Sequence, residues 1–179
     1  MALTPAELER FVTDLAATPE RWRHLVRHAT DARVYEQIVD DEEVNAWVIC
    51  WSEDQDTGFH DHDESSAAIA VISGQVREDR LRRGDPPRSI GDPPRSNGTT
   101  APTPPPAGSS RVVGAGQVFT VPAMAIHRVM HAGDVPAVTI HAYSPPLART
   151  GAYRTGPAGE LERELLPGEH ELRAEPALS

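Results

Sequence analysis

Lysine is absent from this chain, and cysteine occurs once, at Cys50. A single thiol excludes an internal disulfide and makes a reducing, cytoplasmic location the natural expectation. No apolar run approaches the ~18 residues of a membrane span. The opening MALTPAELER has no basic stretch leading into an apolar one, so no signal peptide is expected. Positive charge is scarce as well. Against 27 acidic residues stand 17 basic ones, all arginine, giving a formal net charge of −10. That balance argues against sequence-independent nucleic-acid binding, which needs a basic surface, and against docking to anionic lipid. The missing lysine by itself carries no functional weight.

What remains fits one globular domain over residues 1–179, with 39% apolar and 25% charged residues. In TPAELERFVTDLAAT, Thr4 suits an N-cap, Pro5 the first helical position and Glu7 the reciprocal capping position. TPERWRHLVRHA repeats the recipe from Thr18 and Pro19, so two short helices are expected within residues 1–32. From Arg33 the texture turns to β-branched and aromatic residues. RVYEQIV and NAWVICW flank the acidic turn DDEE and read as a hairpin. SSAAIAVISGQVREDRL reads as a further strand pair broken at Gly74. RVVGAGQVFTVPAMAIHRVMHAG and PAVTIHAYSPP add more short strands, so residues 33–147 suggest a double-sheet sandwich or barrel. Residues 84–110 carry GDPPRS twice and are too polar and proline-rich to pack, which predicts a flexible insertion. Residues 148–179 read as an acidic C-terminal tail with a short helix before Pro167 and a solvated His170.

Chemistry concentrates at GFHDHDESS, residues 58–66. Alternate strand residues share a face, so His60 and His62 project together and Asp61 points away. Two imidazoles on one face can grip one metal ion, although an isolated H-x-H is a weak signal. The spacing around it adds weight: Gly74 follows, and downstream come Gly116, Pro122 and His127. These two segments resemble the paired motifs of the cupins. The resemblance implies a double-stranded β-helix, or jelly-roll barrel, mainly β with short N-terminal helices. It also implies that His127 lies inside the barrel beside His60 and His62. Ala67 stands where the first motif usually has a Glu ligand, and Met124 where the second usually has Gly. Three neutral imidazoles leave the full charge of a divalent ion uncompensated, which favours anionic ligands such as a thiolate. Asp61, Asp63 and Glu64 are expected to be solvated, or else to accept imidazole N–H groups.

HAYSPP, from His141 to Pro146, the IHRV run at Ile126 to Val129, and ICWSE before the first histidines resemble the cysteine dioxygenases. The likeness covers roughly residues 33–80 and 111–147. It implies an Fe(II) enzyme that adds O2 to a small thiol, cysteine or 3-mercaptopropionate, to give a sulfinic acid. The ligands it implies are His60, His62 and His127. The family's Ser-His-Tyr relay falls on Thr139, His141 and Tyr143, with Thr replacing Ser. The family's Cys–Tyr cross-link cannot form here, because Ala67 has no sulfur. The substrate carboxylate is expected at Gln37, with Tyr35 and Arg33 nearby; Gln gives a neutral hydrogen bond where Arg gives a bidentate clamp. Two rival readings remain. One is a metal-binding cupin with a different dioxygenase or isomerase activity. The other is a non-enzymatic, ligand-binding cupin whose Pro-rich loop docks a partner.

Overall fold

The computed structural model describes residues 1–81, 108–155 and 161–172. Most of the Pro-rich segment therefore lies outside the described residues. Its last three positions do not: residues 108–110 open a strand rather than end a loop.

Helix α1, Pro5–Ala16, begins as its sequence requires. The Glu7 amide donates to Thr4 Oγ1, and the Thr4 amide donates to Glu7 Oε2 at 2.8 Å. Leu8, Val12 and Leu15 recur at helical spacing and are buried on one face. The second expected helix is instead two 3₁₀ turns, Pro19–Arg21 and Arg23–Leu25. The Thr18 hydroxyl does not cap them. It donates back to the Asp14 carbonyl of α1 at 2.9 Å, while the Trp22 indole donates to the Leu15 carbonyl. The hydroxyl that could cap a new helix is thus spent on closing the old one, and the indole reinforces that closure.

Among the described residues eleven strands follow: β1 Val34–Asp40, β2 Asn45–Trp51, β3 His60–Asp61, β4 Ser66–Ser73, β5 Gln75–Leu81, β6 Gly108–Gly114, β7 Val118–Val121, β8 Ile126–Ala132, β9 Ala137–Ser144, β10 Arg149–Thr155 and β11 Leu161–Pro167. They form two antiparallel sheets, ordered β1-β2-β9-β4-β7 and β11-β10-β3-β8-β5-β6. The β1–β2 hairpin is as expected. The β4–β5 segment is not a paired hairpin: β4 pairs with β7 and β9, and β5 with β6 and β8. The chain changes sheets at Gly74, where φ is +67° and a Cβ would sit 2.7 Å from the Pro136 carbonyl oxygen. Only glycine fits such a corner.

The first sheet is covered on both faces, which explains why β2 and β9 are buried throughout. Trp47, Ile49, Trp51, Ala67, Ile69, Val71 and Tyr143 face the barrel interior. Ala46, Val48, Cys50, Ala68, Val138, Ile140 and Ala142 face the opposite way, against Leu8, Val12 and Leu15 of α1. Cys50 is a buried apolar filler, and burial pushes its thiol pKa up.

The C-terminal segment differs most from expectation. Instead of a tail with a helix before Pro167, β10 and β11 form a hairpin paired from Arg149↔Pro167 to Thr155↔Leu161. The helix-forming composition of LERELL yields to the ladder and to side-chain ties described below. A 3₁₀ turn, Gly168–Leu172, then returns to the core: Leu172 is fully buried and its carbonyl accepts from Arg33 Nε at 2.8 Å. His170 is half-buried in that turn rather than solvated.

Candidate metal centre

His60 comes from the two-residue strand β3, His62 from just after it, and His127 from β8. His60 and His127 are direct cross-strand neighbours. All three are buried, at 3%, 1% and 0% exposure, among side chains that exclude water. The Nε2 atoms of His60 and His62 are 3.2 Å apart, and those of His62 and His127 are also 3.2 Å apart. Nitrogens so spaced, each about 2.1 Å from one ion, subtend about 100° at it. All three donor atoms lie within 4.8 Å of one another, close enough for one ion to be shared. Among the described residues this is the grouping of three or more donors close enough to share a metal ion.

At His60 the group behind the candidate donor nitrogen sets which nitrogen carries the proton. His60 Nδ1 lies 3.1 Å from the Gly58 carbonyl oxygen, so Nδ1–H donates there and Nε2 keeps its lone pair. His127 Nδ1 lies 3.5 Å from Glu78 Oε1, an electrostatic contact longer than a strong hydrogen bond. Burial, and then the neighbouring His60, hold the His127 pKa well below its ordinary value, so this imidazole is neutral and free to ligate. Glu78 is itself buried. It accepts from Arg80 Nε at 2.7 Å and Arg111 Nε at 2.6 Å. Burial pushes its carboxyl up, but His127 and Arg80 outweigh burial and hold it at about 2. Glu78 is thus a carboxylate aimed at the back of a candidate ligand.

Glu78 is not among the acids that the sequence suggests as partners of the imidazoles, which all lie close to His60 and His62. Those acids do other work. Asp61 is fully buried, neither solvated nor bonded to an imidazole; it accepts from Tyr153 and Arg163. Asp63 pairs with Arg149 and Arg163, and only Glu64 is well solvated. A signal for Glu78 existed in QVREDRL, where Val76 and Glu78 share the inward face of β5.

Thr139, His141 and Tyr143 all face inward from β9, as alternation requires, and all are buried. His141 Nδ1 and the Tyr143 hydroxyl are 3.1 Å apart. The Tyr143 ring meets the His62 ring edge-on at 5.0 Å, which puts the phenol beside the three imidazoles. The Thr139 hydroxyl accepts from the Trp51 indole at 2.8 Å. Trp47 packs against Tyr143 at 5.5 Å.

Of the three expected carboxylate-binding residues, Tyr35 and Gln37 share one face of β1, opposite inward residues of β2: Tyr35 faces Ile49 and Gln37 faces Trp47, while Arg33 precedes the strand. Their surroundings differ. Gln37 is exposed, just before a bulge; Tyr35 is half-buried against the core. Arg33 is buried, with its guanidinium over the Trp51 ring at 4.9 Å and bonded to the Leu172 carbonyl.

Residues 5–155 match the family model for cysteine dioxygenase type I, and the chain belongs to that family. A cysteine dioxygenase type 1 from Danio rerio is 25% identical over 155 residues, covering 84% of this chain and 71% of the relative. A solved Klebsiella pneumoniae protein described as having a double-stranded β-helix domain aligns with a TM-score of 0.50 at 15% identity, over 80% of this chain and 91% of that one. A solved Thermus thermophilus protein aligns at 0.51 and 14% identity, over 69% of this chain and 93% of that one. These structures bear on the fold alone, the double-stranded β-helix that the sequence motifs implied. Family membership supports an oxygenase enzyme, and the three histidines give it a candidate metal site. No helix among the described residues is long and apolar enough to cross a membrane.

Proposed function

We propose that this chain is a mononuclear iron thiol dioxygenase, acting in the reducing cytoplasm. It converts a small thiol, cysteine or 3-mercaptopropionate, and O2 into the corresponding sulfinic acid. The observation that carries this reading is the convergence of three Nε2 atoms, with no carboxylate among them, beside the Tyr143 phenol. His60, His62 and His127 hold the iron. Bound Fe(II) supplies open coordination positions for thiol and O2 and the redox capacity to add both oxygen atoms to sulfur.

The chain's own residues do the rest. An all-imidazole donor set adds no negative charge, so it favours a thiolate over a neutral ligand. The Tyr143 hydroxyl, held by His141, offers a proton or a lone pair at the open face and orients what binds there. Trp47, Ile69 and the methyl of Ala67 line the interior and keep water out. Gln37 and Tyr35 meet the carboxylate end of the substrate. Arg33 stands behind them, since its guanidinium already holds the Leu172 carbonyl and the Trp51 face.

The test is O2 uptake with sulfinate detection, using anaerobically iron-loaded protein and a panel of small thiols. Stoichiometric uptake and sulfinate with at least one thiol is expected. Uptake with other substrates but no thiol contradicts the proposal and favours a different cupin reaction. A chain that takes up no metal contradicts it in favour of a ligand-binding role.

A further inference from the structure

The strand that carries His60 is only two residues long. Its backbone ladder is correspondingly thin: His60 pairs with His127 on β8, and Asp61 and His60 pair with Gly151 and Ala152 on β10. His62 lies beyond the ladder, where the chain turns through Asp63 at φ +53°. Flanking backbone bonds add to the ladder, from the Tyr153 amide to the Phe59 carbonyl and from the Ser65 amide to the His62 carbonyl, but they do not by themselves aim two imidazoles at a common focus.

The missing constraint comes from the opposite face of β3. Asp61 is fully buried, and both its oxygens are taken. Arg163 donates Nε to Oδ2 and Nη2 to Oδ1, each at 2.8 Å, a bidentate fork. The Tyr153 hydroxyl donates to Oδ2 at 2.6 Å, and the Asp63 amide donates to Oδ1 at 2.8 Å. The same Arg163 Nη2 reaches Asp63 Oδ1 at 3.1 Å, and Arg149 holds Asp63 Oδ2 at 2.8 Å. His62 is therefore bracketed by two carboxylates that one guanidinium ties together.

Arg163 sits on β11, and β10 lies between it and β3. Two strand spacings are about 9.5 Å, so the side chain must pass over β10 to arrive. It passes over Gly151, which is the cross-strand partner of Asp61. A Cβ at Gly151 would lie 2.7 Å from Arg163 Cζ and closer still to its Nε. The cradle exists because that position has no side chain. The family match ends at residue 155, so Arg163 comes from chain beyond it.

We propose that Arg163 is a positioning residue for the metal site: forked onto Asp61 through the gap at Gly151, it aligns His60 and His62 for a shared ion. The inference rests on the reading that these histidines hold a metal. Arg163 touches neither substrate nor metal; it acts through the backbone of residues 60–63.

The test is anaerobic Co(II) titration against a competing chelator, alongside thermal unfolding of the metal-free chain. Arg163→Gln removes the fork. Gly151→Ala leaves every polar group in place but fills the gap. Both are expected to bind metal 10- to 100-fold more weakly and to alter the Co(II) visible spectrum. Arg163→Lys keeps the charge without the fork and is expected not to restore affinity. Leu8→Ala, on α1 far from β3, serves as the control: it lowers the melting temperature but leaves affinity unchanged. Wild-type affinity in Arg163→Gln, or an equal loss in Leu8→Ala, overturns the inference while leaving the metal site standing. A wild-type chain that binds no Co(II) overturns both. If the Arg163 variants do not fold, amide exchange in the unaltered chain decides: slow exchange at Asp63 before metal is added supports the inference, and fast exchange overturns it.

Discussion

At the scale of single residues, the donor nitrogens and the groups behind them carry the account. His127→Ala removes one of three donors and is expected to abolish tight iron binding while leaving the far-ultraviolet circular dichroism spectrum in place. Glu78→Gln keeps the shape behind His127 but removes the negative charge. It is expected to weaken metal binding about 10- to 100-fold, read by the same titration. Met124 offers a separate test. It sits at φ +61° in the turn before β8, where the cupin motif resembled here carries glycine. Left-handed backbone costs a side-chain residue about 1–2 kcal/mol, and glycine gives back part of that as unfolded-state entropy. Met124→Gly is therefore expected to stabilise the fold by about 0.5–1 kcal/mol in denaturant unfolding. His60 and His62 were legible in the sequence because strand alternation puts residues two apart on one face; His127 was implied only by the motif resemblance. Glu78 showed only as an inward position of QVREDRL, with nothing to pair it with His127, and Arg163 did not show at all. The first lies two strands from His60 in the sheet, and the second lies in a segment whose composition reads as helix.

At the scale of elements, α1 closes the outer face of the first sheet, and the C-terminal hairpin steadies the second. The Thr4–Glu7 capping box predicts that Thr4→Ala destabilises by about 1 kcal/mol. Leu8, fully buried against the back of β4 and β9, predicts a loss of about 2–5 kcal/mol on truncation to Ala. Both are measured by equilibrium unfolding. The β1–β2 hairpin, β9 and α1 could be read from local pattern, since their turn, alternation and cap are local. The sheet switch at Gly74 could not, because the pairing partners of β4 and β5 lie far along the chain. The second helix failed for a related reason: Thr18 and Trp22 satisfy groups of α1. No local pattern records where a hydroxyl or an indole will be needed.

At the scale of the whole molecule, buried acids set the response to pH. Burial alone pushes the Asp61 carboxyl up, but bonds from Arg163 and Tyr153 outweigh it and hold the pKa at about 2, against 3.8 when unfolded. Glu78 is held at about 2 against 4.5. Both are lowered in the folded state, so their stabilisation is complete above about pH 4.5 and is lost as pH falls toward 2. Acid unfolding in that window is expected, and Asp61→Asn should flatten it. The fold class and the ligand set were both implied by the motif resemblance in the sequence, while the roles of β10 and β11 emerged only with the sheet order. The central claim is that three imidazoles from two distant segments hold one divalent ion with an open face. X-ray absorption on the Fe(II)-loaded chain, with metal counting, tests it most directly. One iron per chain, three imidazole nitrogens at about 2.1 Å, and loss of that signature in His127→Ala are expected. Iron bound through carboxylates, or a signature unchanged in His127→Ala, would contradict it.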